Sequence, residues 1–532
     1  NTADSLIVGN YLGSNALAAV SSSGNLIFLM VGFINGIAMG AGVVIARYYG
    51  AKDKENLEKS IHTTVAFGIA AGIALTVIGM LLAPKILVLM GTPAEVLPES
   101  ITYFRTYFAG SIGVIMYNIF VGILQSVGDS RHPLIYLIIS SCINVVLDIF
   151  FISGLGMGVG AAALATAISQ FISAFLCLIH LLRAKEEYRL QLNKIRFDSQ
   201  MLWQIIQNGV PSGFQNSVIA IANVFVQTNI NAFGKMAMAG CGSYSKIEGF
   251  AFLPVTCFTM ALTTFVSQNL GAKQYDRAKK GARFGVLCSI IIAELIGVVI
   301  YTAAPVLIAA FNSEPDVVHY GVMQSRTIAL FYFLLAFSHC IAAVLRGSGN
   351  ASVPMIVMLC VWCLFRVSYI TVTVHFIPDI RVIFWAYPLT WSISSVIFLA
   401  LFLRGKWVYG FEKRKNRILK SFRQKPKGII QGVVQMCFHH LDGFFNIAIF
   451  VSLKNSQMFL IDPSLDHGFP AVLVGKNRNP ASEPFGGLCK SGVVAVTVKN
   501  EMEFVGIPVP GLHISGFGSC TFLFQNLCDL CL

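Results

Sequence analysis

The sequence predicts an all-α polytopic membrane protein: two homologous six-helix lobes around a central cavity, the first helix incomplete. Three observations carry this prediction. Apolar residues make up 55% of the 532 positions and charged ones only 12%, about half the share of a soluble domain, and mean hydropathy is +0.71. Apolar runs recur from end to end, each long enough to cross roughly 30 Å of hydrocarbon. The third observation is an internal echo. "ARYYGAKDKENLEKS" matches "VSQNLGAKQYDRAKKG" with Gly50, Ala51 and Lys52 paired to Gly271, Ala272 and Lys273, an offset of 221 residues. At that offset Gly13 meets Gly234, Pro84 meets Pro305, Arg105 meets Arg326, Leu124 meets Leu345, Gly128 meets Gly349 and Pro133 meets Pro354.

Taken in order, apolar runs and their breakers give a stub over about 1–10, then spans near 16–46, 60–82, 101–127, 133–153 and 160–182. After a polar stretch come 204–232, 238–268, 284–311, 320–346, 353–376 and 382–404. The longest exceed the 20 residues a span requires, so tilt or kinks are expected. An even number of spans returns each lobe to the same side, which relates the lobes by an axis along the membrane normal. The expected division is a first lobe over 1–190, a linker over 191–200, a second lobe over 201–410 and a tail over 411–532.

The loops alternate in charge. "RYYGAKDKENLEK", "GDSRHP", "RAKEEYRLQLNKIRFD", "GAKQYDRAKKGARF", "RGSGN" and "RGKWVYGFEKRKNRILK" are basic or mixed, whereas "LGSNALAAVSSSGN" and "SGLGMGVGAA" carry no Lys or Arg. The positive-inside rule places the basic set, and both ends of the helical part, in the cytoplasm of a multi-pass plasma-membrane protein. The net charge of +13 is therefore assigned to topology, and nucleic-acid binding is not expected. Thirteen cysteines are scattered, several within apolar runs, and imply no disulfide framework.

Ionisable residues inside a membrane cost about 2.5–3.5 kcal/mol and are functional candidates. Asp4 and Asp148 stand out in the first lobe. Asn144 precedes Asp148 by four residues, which puts amide and carboxylate on one helix face, and Thr166 offers a hydroxyl from the next helix. Two nearby carboxylates in low dielectric cannot comfortably both be charged, so their protons come off as a coupled pair. The oxygen set also suits Na⁺, so H⁺ and Na⁺ both stay open as the coupling ion, and no cofactor is expected. The alternatives are a helix-packing hydrogen bond for Asp148 and an interfacial position for Asp4.

The second lobe is less acidic: Asp4 falls on Phe225 and Asp148 on Tyr369 at the shared offset. Its candidates are Gln215, Asn216, Glu248, Glu294 and Arg366. Glu248 follows Lys246 near the start of a span and reads as interfacial. Glu294 is mid-span, as a second proton site or a helix–helix bond. Arg366 is expected to line a water-filled cavity, with pairing to Glu294 as the alternative. Gln170 and other amides, and aromatic residues such as Tyr117, are cavity candidates, the aromatics for cation–π contact.

Several strings, "NTADSLIVGNYLGSNALAAV", "GILQSVGDSRHP", "NVVLDIFFISGLGMGVGAAALATAISQ", "GVPSGFQNSVIAIANVFVQTNINAFG", "YSKIEGFAFLP" and "AVLRGSGNASVP", together resemble the MATE family of multidrug and toxic compound extrusion transporters, in its DinF-like prokaryotic branch. The resemblance covers about residues 1–410. It implies a twelve-helix antiporter that exports organic cations or other amphipaths in exchange for H⁺ or Na⁺, with Asp4, Asn144, Asp148 and Thr166 at the positions of a first-lobe cation site. The expected partners are small-molecule substrates and the bilayer, for a monomer. A lipid-linked saccharide flippase of the same superfamily is the alternative within transport; a membrane-embedded enzyme would need clustered His, Asp or Ser facing one membrane side. No G-x-x-x-x-G-K-[ST] occurs, which argues against ATP as direct energy source. The resemblance further implies that a longer first helix precedes Asp4. The tail does not resemble the family and reads as sequence joined by a frameshift or gene-model error, against a small appended domain or a disordered segment.

Overall fold

A computed structural model describes residues 2–89, 92, 95–185 and 187–411. The hydrophobic stretch 429–451, "HHLDG" and "CDLC" lie outside the described residues. Among those described, every regular element is helical.

Twelve helical units follow one another. In the first half they are α1 (Thr2–Leu12), α2 (Ser14–Gly50), α3 (Lys54–Leu89), α4 (Leu97–Ala109 and Ser111–Ser126), α5 (Arg131–Gly154) and α6 (Gly160–Arg183). In the second they are α7 (Ser199–Asn231), α8 (Lys235–Gly271), α9 (Tyr275–Ala309), α10 (Pro315–Gly347), α11 (Ser352–Phe376) and α12 (Ile380–Leu403). Nine described helices are long and apolar enough to span a membrane, ten with the bent α4. Their exposed faces carry Leu81, Ile138, Phe175, Val306, Val396 and Leu403, a surface that lipid covers and water does not.

Landmarks recur at the offset of 221. Both α2 and α8 have 37 residues and begin after a glycine in the left-handed region, Gly13 (φ 85°) and Gly234 (φ 98°). Lys52 and Lys273 are the non-glycine residues with positive φ among those described, at 55° and 58°. Each forms part of the turn into the next helix. The second segment of α4, Ser111–Ser126, and that of α10, Tyr332–Gly347, also stand at this spacing with 16 residues each.

Two expectations need refining. The run 101–127 is not one straight span, because α4 bends by 46° at Gly110; a Cβ there would strike Ala167 of α6, so the glycine admits the close approach. The stretch 47–59 is mostly helix, with only Ala51–Asp53 between α2 and α3. Asp53 explains part of that: its carboxylate accepts the Asn56 backbone N–H at 3.2 Å and caps the start of α3. Likewise Asp198 accepts from the backbone N–H groups of Gln200 and Met201 at 3.0 and 2.9 Å and starts α7. The segment before it is tied to α3, with Gln191 N–H donating to His62 Nε2 at 3.1 Å and Lys194 paired with Glu58 at 2.8 Å.

The two halves meet along α2. Gly36 and Gly40 lie against Gly213 and Gly209 of α7, so closely that a Cβ on either α2 glycine would enter the opposing backbone. This is small-xxx-small packing on both partners, which lets helices in lipid approach at backbone distance. Further contacts tighten the same end: Ser267 Oγ donates to Val43 O at 2.6 Å, Gln268 Nε2 donates to Ser126 O at 2.8 Å, and Gln204 Nε2 donates to Tyr48 Oη at 3.1 Å. Arg47 stacks over Phe411 at 4.2 Å.

Candidate functional site

In the first half, α1 and α6 converge on the later part of α5. Val8 of α1 packs with Tyr103 of α4, Ile152 of α5 and Ala161–Ala163 of α6, and this small apolar core fixes the polar groups beside it. Asp4 is 3% exposed and Asp148 fully buried. Thr166 Oγ1 donates to Asp4 Oδ2 at 3.3 Å. Asp4 and Asp148 face one another at hydrogen-bonding range for a shared proton. Without that proton, neither Asp148 oxygen has a donor, and the Asn144 Nδ2 donor is likewise buried and unpartnered. Unsatisfied groups of this kind are uncommon and call for an explanation. The arrangement can hold a proton between two carboxylates, or a hard cation among carboxylate, amide and hydroxyl oxygens.

Two features were missed by sequence reasoning. Tyr103 lies within electrostatic reach of both Asp4 and Asp148, and Tyr107 of Asp4. Their i, i+4 spacing on α4 was the available signal. The backbone of α5 also passes into a π-helical turn over Ile149–Gly154, directly after Asp148, and such turns are frequent at functional positions.

The second half holds a different polar layer. Arg366 of α11, 1% exposed, follows another π-helical turn, Leu359–Phe365. Its guanidinium donates to Thr390 Oγ1 at 3.0 Å and lies over the rings of Tyr387 (4.7 Å) and Trp362 (5.0 Å). Pairing with Glu294 was the alternative for Arg366; the structure instead places Glu248 within its electrostatic reach. Glu248 lies within α8, partly buried, bonded to Tyr244, whose hydroxyl meets that of Tyr332 at 2.9 Å. Glu294 of α9 accepts the Phe333 backbone N–H at 3.2 Å, a helix–helix bond where the 3-10 turn Ala329–Phe331 frees that donor.

Other candidates are dispersed. Gln215 accepts from Arg346 at 3.4 Å, and Asn216 donates to Gly32 O at 3.3 Å across to α2. Arg346 was read as a loop residue but ends α10 with only 6% exposure. Gln170 lies one turn beyond Thr166 on α6, partly buried. Tyr117 donates to Pro133 O at 3.3 Å within the Ile119–Cys177–Leu181 core, away from the acidic pair.

The MatE family model matches residues 1–150 and 211–371. The chain is similar to the Probable multidrug resistance protein YoeA of Bacillus subtilis, 29% identical over 403 residues, 74% of this chain and 86% of that relative. It is 26% identical over 444 residues to the Probable multidrug resistance protein NorM of Thermotoga maritima, covering 80% and 91%. Its fold matches that described as "Crystal structure of MATE in the bent conformation" with a TM-score of 0.72 at 22% identity, over 76% of this chain and 91% of that one. With the family model covering more than half of its length and all twelve helical units in place, this chain belongs to the MatE family of membrane transporters.

Proposed function

We propose that the protein is a secondary active antiporter that exports organic cations or related amphipathic drugs in exchange for H⁺ or Na⁺. The observation that carries the reading is the buried pair Asp4–Asp148 with Thr166 and Asn144 around it. A carboxylate pair excluded from water is costly unless a proton or cation joins it, so ion binding and release there changes the local free energy strongly. The relatives named multidrug resistance proteins support export of drugs.

In this reading residues 1–190 and 201–410 are two lobes of one monomer that rock about α2 and α7, and an ion arriving at the Asp4–Asp148 site bends the first helix to release substrate. The basic loops face the cytoplasm. The seam of Gly36, Gly40, Gly209 and Gly213 then holds the two lobes together toward the cytoplasmic side.

Ethidium efflux from vesicles under imposed proton or sodium gradients tests the proposal, with Asp148→Asn beside the parent. Gradient-driven efflux in the parent and its loss by about tenfold or more in the variant is the expected pattern. Unchanged efflux in the variant removes Asp148 from coupling, and no efflux under either gradient removes the antiporter reading.

One observation favours a second reading. Arg346 and Arg366 are both buried in the second half, each with Nε unpartnered, and buried guanidinium groups suit anionic head groups. A flippase of lipid-linked saccharides would use them, and would move a fluorescent pyrophosphate-linked lipid without any ethidium efflux.

A further inference from the structure

Away from the acidic pair, the turn between α4 and α5 meets the end of α6. Gly128 takes φ 98° there, and the chain then places Asp129 beside two histidines. Asp129 Oδ1 accepts the backbone N–H of His132 at 3.2 Å. That bond leaves Oδ2 aimed at both rings: it lies 2.7 Å from His132 Nδ1 and 3.4 Å from His180 Nε2. The three donor atoms all fall within 4.8 Å of one another, and the ring centroids are 4.2 Å apart. Tyr136, one turn along α5, bonds the far nitrogen of His180, Nδ1, at 3.3 Å.

We propose that Asp129, His132 and His180 form a binding site for a divalent transition-metal ion of the Zn²⁺ class. One carboxylate oxygen faces two imidazole nitrogens at close range, and a single dication among the three atoms satisfies all of them. The donor set, two imidazole nitrogens and one carboxylate oxygen, suits Zn²⁺, Co²⁺ or Ni²⁺ and not the all-oxygen preference of Mg²⁺ or Ca²⁺. Distances agree. A tetrahedral ion with bonds near 2.0–2.1 Å holds its ligand atoms about 3.3 Å apart; the His180–Asp129 separation already has that value, and His132 must withdraw by about half an ångström.

A Tyr136 hydroxyl that accepts from Nδ1–H fixes the tautomer that presents the Nε2 lone pair of His180 to the ion. Three protein ligands leave a fourth position for water or an additional ligand. The bound ion would clamp the α4–α5 turn to the end of α6, a restraint on the first half that is independent of any substrate and of the transport proposal above.

Co²⁺ is the probe. The full-length chain is purified in detergent with His439→Ala and His440→Ala, which removes the adjacent histidine pair of the tail, and titrated with Co²⁺ alone. One ion per chain is expected, with the visible d–d absorption of a tetrahedral nitrogen–oxygen site. Binding should weaken by about tenfold or more in Asp129→Asn and His180→Ala. His132→Ala serves as the second variant because its side chain is the most exposed of the three, 45%, and its loss leaves the packing intact; circular dichroism and elution volume confirm the fold. Absence of a Co²⁺ spectrum before mutation overturns the site, and so does binding that is undiminished in His132→Ala.

Discussion

The Thr166 hydroxyl of α6 donates to the Asp4 carboxylate of α1 at 3.3 Å, across 162 positions of sequence. That one bond ties the first described helix to the helix that follows Asp148, so whatever occupies the acidic pair is felt by three helices together. Hydrogen bonds to a charged group contribute about 1.5–3 kcal/mol. Thr166→Ala should therefore weaken coupling-ion affinity by about tenfold, whereas Thr166→Ser retains the donor and stays close to the parent. Efflux rate against proton or sodium concentration reads both, and equal behaviour of the two variants would remove the hydroxyl from ion binding.

The glycine seam gives a second prediction. A side chain at Gly36 has no room against Gly213, and overpacking costs about 1–3 kcal/mol or more. Gly36→Leu is expected to lower the melting temperature in detergent and to force α2 from α7. Crosslinking of cysteines introduced across the seam should fall in parallel. Gly128→Ala does not test this contact, because its strain is local to a turn at φ 98°.

Arg366 and Glu248 supply a third. Arg366 is buried and stacked between Tyr387 and Trp362, and its opposite charge within reach is Glu248. Arg366→Met leaves a carboxylate without that charge, at a cost of about 3 kcal/mol. The double change with Glu248→Gln should cost less than the two single changes added together, a coupling that thermal unfolding of all four proteins measures. Strict additivity would mean the two groups act separately.

A fourth prediction concerns the entry to α7. Asp198 caps it through Gln200 and Met201, and its own N–H donates to Thr63 of α3 at 3.1 Å. Removing the cap with Asp198→Ala costs about 1 kcal/mol; Asp198→Ser should recover most of it. Proteolysis of the segment over 187–198 is the sensitive readout, since loosening there precedes global unfolding.

Membrane insertion reads a one-dimensional signal, and that is why so much was legible in the sequence alone. Apolar run length, the position of Lys and Arg, and the offset linking Gly50 to Gly271 sufficed for helices and class, while the family came from local strings that resemble MATE transporters. The same run length could not reveal the bend at Gly110, because a glycine in an apolar segment looks identical whether or not another helix lies against it. Asp4 and Asp148 stood out as charges in an apolar setting, but that alone could not show that they face one another. Their meeting depends on how α1 and α5 pack around Val8 and Ile152. Arg366 shows the same limit from the other direction. Its charge was conspicuous and its partner was not, since Glu294 and Glu248 are both carboxylates in long apolar helices and only packing aims one toward α11. Asp129, His132 and His180 make the contrast sharpest: the first two share a loop, the third lies 48 residues beyond His132, and only the return of α6 to the start of α5 brings three donors to one point. Composition decides what a helix can cross; tertiary contacts decide which polar groups share a dielectric, and chemistry follows from the second.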